Sequence, residues 1–159
     1  MYRIGNGFDA HKFAKDRILI IGGVEIPYKY GLSGHSDADV LCHSICDAIL
    51  GAANCGDLGT HFPSTEPKFK NISSLVLLKQ SYDIVKSKGF VIENIDTTII
   101  CEKPRLSSFI SKMSDRISES LGVADSLISI KATTTDGLGF TGRAEGIAAY
   151  ATALLKQVD

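Results

Sequence analysis

Alternating and β-branched apolar residues mark the strands of this chain. Residues 2–10 predict a first strand, whose two glycines, Gly5 and Gly7, allow another backbone to approach closely. Residues 17–27 predict a hairpin that turns at Gly22-Gly23. A run of β-branched residues predicts a strand over 95–101, and residues 127–132 predict the last strand.

Four further segments carry apolar residues at the helical period of about 3.6. The first helix follows Ser36 and Asp39, a near capping box, and has an apolar stripe at Leu41, Ile45, Ala48, Ile49 and Ala52. The second helix covers 75–85 and stops at Gly89, and the third covers 110–121 and stops at Gly122. The fourth begins at Arg143 and predicts a closing helix through Ile147, Tyr150, Ala151, Leu154 and Leu155.

The order of these elements predicts the fold class. Strands alternate with helices, residues 57–71 predict a loop, and no repeat or linker divides residues 1–159, so we expect a single domain. The predicted class is α+β, an α/β-like sandwich in which a mixed sheet of few strands has helices on one face. The other face of such a sheet would be apolar, and we expect further subunits to cover it.

Composition and charge restrict the partners. The chain has 159 residues, with 17 Lys and Arg against 18 Asp and Glu, and a formal net charge of −1. No basic stripe is present, which argues against nucleic acid and anionic membranes as partners. The N-terminal residues do not resemble a signal peptide, no apolar run is long enough for a membrane span, and the four cysteines show no C-x-x-C spacing. We therefore expect a cytoplasmic protein.

A candidate metal site begins in the first predicted strand. Asp9 and His11 are two residues apart, so their side chains point to the same face of a strand. His43, in the first predicted helix, is the candidate third ligand, and one carboxylate with two imidazoles leaves a fourth position of a catalytic zinc open. On spacing alone, an incidental Asp beside an ordinary histidine stays an alternative.

The surroundings of His43 allow two more hypotheses. Asp39 and Asp47 lie one turn before and after it, so these carboxylates could hold its tautomer, although an ordinary acidic helix face is equally open. Cys42 and Cys46 flank it, but neighbouring helical positions point about 100° apart, which disfavours a thiolate zinc site. We expect the cysteines to be buried hydrophobes.

A cluster of hydroxyls and glycines follows the last predicted strand. Residues 132–143 read ATTTDGLGFTGR and connect that strand to the predicted closing helix. Hydroxyl and backbone N–H donors suit phosphate oxygens, and Asp136 could hold a hard divalent cation. The alternative is a glycine-rich connection without a ligand. The chain has no Walker loop, G-x-S-x-G, H-E-x-x-H or dinucleotide fingerprint.

Taken together, these motifs resemble a known family almost from end to end. The matching residues are 8–11 (FDAH), 34–40 (GHSDADV), His43, 56–59 (GDLG), Phe62-Pro63, 131–135 (KATTT) and 139–143 (GFTGR). Each motif is short, but their joint order resembles the 2-C-methyl-D-erythritol 2,4-cyclodiphosphate synthase family of the non-mevalonate isoprenoid pathway. The resemblance implies a homotrimer, with sheets facing each other and active sites between subunits.

The resemblance also implies residue roles. Asp9, His11 and His43 would bind Zn²⁺, while His35 and Thr134 would act catalytically by orienting and stabilising the reacting phosphates. Mg²⁺ or Mn²⁺ would bridge the substrate diphosphate. The substrate would contact Asp9, His11, His35 and Ser36, and its methylerythritol part would contact Asp57, Leu58 and Gly59. A closing loop would contribute Phe62, Pro63, Ser64, Thr65 and Glu66. The cytidine pocket would consist of Cys101, Glu102, Lys103, Pro104, Arg105, Leu106, Ala132, Thr133, Thr134 and Thr135, and further ligand contacts would come from Asp136, Phe140 and Arg143.

Two positions depart from the family pattern. Asp136 stands where the family often has Glu, and Ser64 stands where it has Asp. The implied reaction cyclises 4-diphosphocytidyl-2-C-methyl-D-erythritol 2-phosphate and releases CMP. A phosphate monoester is already largely ionised near neutral pH, since its second pKa is about 6, which agrees with the lack of a catalytic triad. A metal-dependent anion-binding trimer, a structural zinc domain and a zinc phosphodiesterase are the other classes considered.

Overall fold

The computed structural model describes residues 1–158 of the chain. Its strands are β1 (Tyr2–Ala14), β2 (Leu19–Ile21), β3 (Val24–Ile26), β4 (Gly31–Leu32), β5 (Phe90–Ile100), β6 (Ile128–Thr133) and β7 (Gly146–Gln157). Five of them form a sheet in the order β4-β1-β7-β5-β6, and β2 pairs with β3 in a separate hairpin. Only β5 and β6 run parallel within the described chain, so the sheet is mixed.

The helices are α1 (Val40–Ala52), α2 (Leu58–His61), α3 (Ser74–Ser87), α4 (Ile110–Leu121) and α5 (Gly139–Gly142). Short 3₁₀ turns cover Pro67–Phe69, Ser107–Phe109 and Asp125–Leu127. The three long helices lie on one face of the sheet, with α1 against β1 and β7, α3 against α1, and α4 against α3 and β6. The α+β prediction with helices on one face is therefore confirmed. No helix of the described residues has the length and apolar character needed to cross a membrane.

The two glycines of β1 determine how closely α1 approaches the sheet. A Cβ atom on Gly7 would lie 2.0 Å from the carbonyl oxygen of Ser44, and one on Gly5 would lie 2.1 Å from that of Ala48. Any larger residue would therefore push α1 away from the strand. The expectation of close backbone approach at this strand is confirmed, and the hairpin turn at Gly22-Gly23 is also where it was predicted.

The predicted closing helix is wrong, because residues from Gly146 form the central strand β7. Its buried residues alternate as in a strand, at Ile147, Ala149, Ala151, Ala153 and Leu155, and β7 packs against α1. Alanine and leucine favour a helix locally, but pairing with β1 on one side and β5 on the other decides the conformation. The segment 132–143 therefore connects two strands instead of a strand and a helix.

Three smaller differences concern the ends of elements. Asp39 alone caps α1, since its side chain accepts from the backbone N–H of Cys42, and Ser36 takes no part in the cap. The predicted loop 57–71 contains α2 and a 3₁₀ turn. The strand predicted over 95–101 is β5, which begins five residues earlier, at Phe90, and the strand predicted over 127–132 is β6, whose bounds differ by one residue.

The face of the sheet opposite the helices is apolar and exposed. The side chains of Tyr2, Ile4, Phe8 and Tyr150 are between 44% and 73% exposed there. Phe8 and Tyr150 are direct partners across β1 and β7, so these residues form one continuous patch.

Candidate active site

Three side chains converge at the end of β1. Asp9 and His11 point to the same face of the strand, and α1 brings His43 onto them. The Asp9 Oδ2 atom lies 2.8 Å from His11 Nε2 and 3.0 Å from His43 Nδ1, and the two nitrogens are 3.2 Å apart. All three are half-buried, and no other group of three His, Cys, Asp or Glu side chains in the described chain could hold a metal.

The donor set fits a zinc ion. In a tetrahedral site, bonds of about 2.0–2.1 Å from zinc to nitrogen or oxygen place neighbouring ligand atoms about 3.3 Å apart. The observed separations of 2.8–3.2 Å are close to this value. Burial raises the pKa of the Asp9 carboxyl, but its polar contacts with the two histidines outweigh burial, so the pKa lies below its usual value. The group therefore offers a carboxylate anion beside two imidazoles.

Each histidine has a partner on its outer nitrogen. His11 Nδ1 lies 2.7 Å from the carbonyl oxygen of Ser33, which can only accept, so this nitrogen carries the proton and leaves Nε2 for the metal. His43 Nε2 lies 3.1 Å from Ser36 Oγ and 2.9 Å from Ser74 Oγ. Such outer contacts set the tautomer of metal-binding histidines.

The hypothesis that Asp39 and Asp47 hold His43 is wrong. The carboxylate of Asp39 accepts from the backbone N–H groups of Gly22, Gly23 and Cys42, while that of Asp47 accepts from Leu58 N–H. Helical spacing predicts which side of α1 these acids occupy, but it does not predict that backbone N–H groups of other segments bind their carboxylates there. Ser74 was missed because it lies on α3, and no local pattern connects it to His43.

The cysteines are not metal ligands in this arrangement. Cys42, Cys46 and Cys101 are buried, as predicted, whereas Cys55 is only partly buried. Burial raises the pKa of the Cys46 thiol to about 12 and that of Cys42 well above its usual value. Both groups are therefore neutral thiols rather than thiolates.

A cavity of about 230 Å³ opens beside the Asp-His-His group. His11, His43, His35 and Ser36 form its polar side, and Leu58, Gly59, Phe62, Ser64, Phe69 and Leu77 complete the lining. Six predicted substrate residues outside the Asp-His-His group thus meet here, namely His35, Ser36, Leu58, Gly59, Phe62 and Ser64. Phe69 and Leu77 were not predicted, since an apolar residue in a loop or helix carries no signal of a ligand.

The neighbouring loop is held by α2 and its cap. Asp57 accepts hydrogen bonds from the backbone N–H and the hydroxyl of Thr60, and these hydrogen bonds lower the pKa of its exposed carboxyl. His35 Nε2 lies 3.2 Å from the carbonyl oxygen of Glu66, which joins the loop to the segment that carries His35. Pro63 and Thr65 lie between these anchors but outside the cavity lining.

A second cavity, of about 430 Å³, lies between the ends of β5 and β6. Most residues predicted to bind cytidine line it, together with Ser107: Cys101, Glu102, Pro104, Arg105, Leu106, Ala132, Thr133 and Thr134. Lys103 and Thr135 are neighbours of lining residues in the sequence but do not line the cavity themselves. The Glu102 Oε2 atom is buried there and has no hydrogen-bond partner, so a donor from a ligand would satisfy it.

The rest of the Thr-rich cluster folds on itself. Thr134 donates its hydroxyl proton to Asp136 Oδ1 at 3.2 Å, and Thr135 donates to the carbonyl oxygen of Leu138 at 2.5 Å. Arg143 pairs with Glu145 at 2.7 Å. Asp136, Phe140 and Arg143 are exposed and lie outside both cavities.

The two cavities lie at the same end of the sheet but above different strands. One row of paired residues crosses β1, β7, β5 and β6 and consists of Ala10, Ala148, Ile100 and Thr133. Three steps of about 4.8 Å separate the first from the last, or roughly 14 Å in total. One phosphate group therefore cannot contact both Thr134 and the Asp-His-His group of the same chain.

The fold and the site define a small α+β domain with an Asp-His-His metal-ligand group at one end of a mixed sheet. The model of the YgbB family matches residues 2–156, and the chain belongs to this family. A relative from Bacillus velezensis, named 2-C-methyl-D-erythritol 2,4-cyclodiphosphate synthase, is 57% identical over 157 residues, which are 99% of each chain. The resemblance of the sequence motifs is therefore confirmed.

Solved structures agree with this assignment. The bifunctional IspDF from Campylobacter jejuni is 46% identical with a TM-score of 0.96, and the match covers 100% of this chain and 43% of that one. A CDP complex of IspF from Plasmodium falciparum is 33% identical with a TM-score of 0.86, covering 99% and 97% of the two chains.

Proposed function

We propose that residues 1–159 form one cyclodiphosphate synthase domain that converts 4-diphosphocytidyl-2-C-methyl-D-erythritol 2-phosphate to 2-C-methyl-D-erythritol 2,4-cyclodiphosphate and CMP. The last residue, Asp159, lies outside the described part. An oxygen of the 2-phosphate attacks the β-phosphorus, the bond from that phosphorus to the bridging oxygen breaks, and CMP leaves with the electron pair. The enzyme is thus a cyclising phosphorus-oxygen lyase of non-mevalonate isoprenoid biosynthesis.

The observation that carries the proposal is the Asp9–His11–His43 group at the wall of the first cavity. Its three ligand atoms lie within 3.2 Å of one another, and His35 and Ser36 line the same cavity. The residues fit Zn²⁺, which when bound supplies positive charge to a phosphate oxygen. Mg²⁺ or Mn²⁺ across the diphosphate belongs to the same proposal.

The protein's own task is to hold the substrate in line for attack. The 2-phosphate needs no general base, so alignment and charge neutralisation are what remain for catalysis. His35 and Ser36 donate hydrogen bonds to phosphate oxygens in the first cavity, and Thr134 donates to the diphosphate from the second. Asp57, Leu58, Gly59 and the loop of residues 62–66 bind the methylerythritol part, and closure of this loop excludes water that would hydrolyse the diphosphate.

The second cavity suits the cytidine. The pocket of about 430 Å³ is formed by residues 101–107 and 132–134, and the unpaired Glu102 carboxylate oxygen can accept from the amino group of a base. The related Plasmodium falciparum protein was solved as a CDP complex. Asp136, Phe140 and Arg143 contact the ligand in this proposal once a second subunit is in place.

A homotrimer with active sites between subunits is part of the proposal. Roughly 14 Å of sheet separates the two cavities of one chain, which supports a site in which the second cavity of a neighbouring copy meets the first. The exposed patch of Tyr2, Ile4, Phe8 and Tyr150 supports assembly through the open face of the sheet. The cytoplasmic location and the absence of nucleic-acid and membrane partners stay predictions.

The reaction can be tested with phosphorus NMR. The protein is incubated with the cytidyl substrate, Zn²⁺ and Mg²⁺, and we expect one cyclic diphosphate and one CMP for each substrate consumed. Linear phosphorylated products would instead indicate a zinc phosphodiesterase. The lack of any turnover by zinc-loaded trimer would contradict both enzymatic functions and leave a binding or structural protein.

A further inference from the structure

A chain of polar contacts continues outward from His43 to a carboxylate that no part of the proposed reaction uses. His43 Nε2 lies 2.9 Å from the hydroxyl oxygen of Ser74, the first residue of α3. That hydroxyl in turn makes a short hydrogen bond to Asp37 Oδ1. Ser74 is fully buried, so these two groups are its partners in place of water.

The direction of each hydrogen bond in this chain follows from the types of the groups. An ionised carboxylate only accepts, so the Ser74 hydroxyl proton points to Asp37. The Ser74 oxygen then accepts a hydrogen bond through a lone pair, so the Nε2 atom of His43 must carry the hydrogen and donate it. A neutral imidazole with hydrogen on Nε2 has its lone pair on Nδ1. That is the atom that faces Asp9 and His11.

Asp37 is itself held in place by backbone donors. Its Oδ2 atom accepts from the backbone N–H of Ser74 at 2.9 Å, and its Oδ1 atom accepts from that of Asp39 at 3.2 Å. It therefore satisfies the free N-terminal end of α3 from a separate segment, where the helix dipole favours a negative charge. The residue in the N-cap position, Ser73, makes no such side-chain bond.

We propose that Ser74 and Asp37 are positioning residues of the metal centre, which fix the tautomer and the ring orientation of His43 so that Nδ1 is available as a ligand. The inference rests on the proposed metal site and extends it to α3. It also frees the Ser36 hydroxyl proton: if the Nε2 atom of His43 is a donor, the proton of Ser36 is available to a ligand in the cavity that Ser36 lines.

Zinc affinity tests the proposal directly. Ser74→Ala removes the hydroxyl but keeps the backbone N–H that Asp37 caps, and we expect zinc to bind about 10–100-fold more weakly in competition with a chelator. Ser73→Ala is the matched control, because this neighbouring serine is exposed and its side chain does not cap the helix. Equal affinity of Ser74→Ala and the unsubstituted protein would overturn the proposal, as would the same loss in both variants.

The Nε2–H group of His43 gives a readout that does not depend on activity. In the zinc-loaded protein its proton should resonate downfield and exchange slowly with water, because Ser74 Oγ accepts from it, and Ser74→Ala should move this signal upfield and speed its exchange. If Ser74→Ala does not fold, Asp37→Asn replaces it, since the amide keeps the size of the side chain and loses the charge. An unchanged Nε2–H signal of His43 in whichever variant is measured would overturn the proposal.

The failures of the two proposals are distinguishable. If the unsubstituted protein does not bind zinc, the proposed metal site and this inference fall together. If it binds zinc and Ser74→Ala binds it equally well, only the positioning role of Ser74 and Asp37 is wrong, and the proposed function stands.

Discussion

The Nε2 atom of His11 lies 3.2 Å from the Nδ1 atom of His43, although the two residues are 32 positions apart in the chain. His11 lies on β1 and His43 on α1, so this distance depends on how closely the helix packs on the strand. Gly5 and Gly7 permit that approach. The candidate metal site and the core of the fold are therefore coupled through the same helix–strand contact.

Gly7→Ala should disturb both stability and metal binding. The added Cβ would lie 2.0 Å from the Ser44 carbonyl oxygen, and the backbone of α1 must move to relieve the overlap. We expect a loss of about 2–3 kcal/mol in the free energy of unfolding, measured with urea, together with weaker zinc binding. Gly51→Ala is the control, since a Cβ there meets nothing within 4 Å, and it should stabilise the helix by about 0.5–1 kcal/mol.

His43→Ala should remove zinc and activity together. The variant loses one of three ligands and, with it, several kcal/mol of transition-state stabilisation, so kcat/KM should fall by about 10³-fold or more. The change is read out by metal analysis and by product formation. His61→Ala is the control for histidine number, because His61 bonds to the Cys55 carbonyl oxygen and lies outside the metal group. Zinc retained by His43→Ala would show that the ligand assignment is wrong.

Asp39→Ala should unfold more easily than any other acid-to-alanine variant of the α1 region. Its carboxylate caps α1 and also accepts from the backbone N–H groups of Gly22 and Gly23, so its loss leaves buried donors unpaired. We expect about 3–5 kcal/mol of destabilisation in a urea titration. Asp125→Ala, at an exposed position, should change stability by less than about 0.5 kcal/mol. Equal effects would contradict the role of Asp39.

Arg17→Lys should reduce catalytic efficiency with little effect on stability. The guanidinium of Arg17 donates to the carbonyl oxygens of Gly34 and Ser36, on either side of His35, at 3.1 and 2.8 Å. An ammonium group cannot make this planar pair of hydrogen bonds, so Arg17→Lys should let His35 shift. A small misplacement of a group that aligns the substrate lowers the rate, and we expect about a 10-fold loss of kcat/KM. Arg116→Lys, on the surface of α4, serves as the control. An unchanged kcat/KM would show that the clamp does not position His35.

Ile4→Asp should prevent assembly of the proposed trimer. Ile4 is 73% exposed in one chain and lies in the apolar patch of the open sheet face. A charge buried in the subunit interface is costly, so light scattering should show the mass of a monomer, and activity should fall with it. Val76→Asp places the same charge at an exposed apolar residue of α3 and should leave the mass unchanged. A trimer formed by Ile4→Asp would place the interface elsewhere.

Much of the candidate site could be predicted because it depends on short-range spacing and on residue type. Asp9 and His11 share a face because strand side chains alternate, and their chemistry suits zinc. The family resemblance adds residues 57–59, 62–66, 101–106 and 132–135. Half of the first two segments line the first cavity, and most of the last two line the second. The roles of individual residues in binding and catalysis stay predictions.

The sequence by itself determined the apolar pattern of most elements, the glycines under α1 and the candidate metal ligands, since these depend on periodicity and local chemistry. Only the tertiary structure decided that residues from Gly146 form a central strand, because pairing on both sides outweighs the helix preference of alanine. It also decided that Ser74, and not Asp39 or Asp47, meets His43. Contacts between α1 and α3 depend on packing across the core, which has no local signature in the chain.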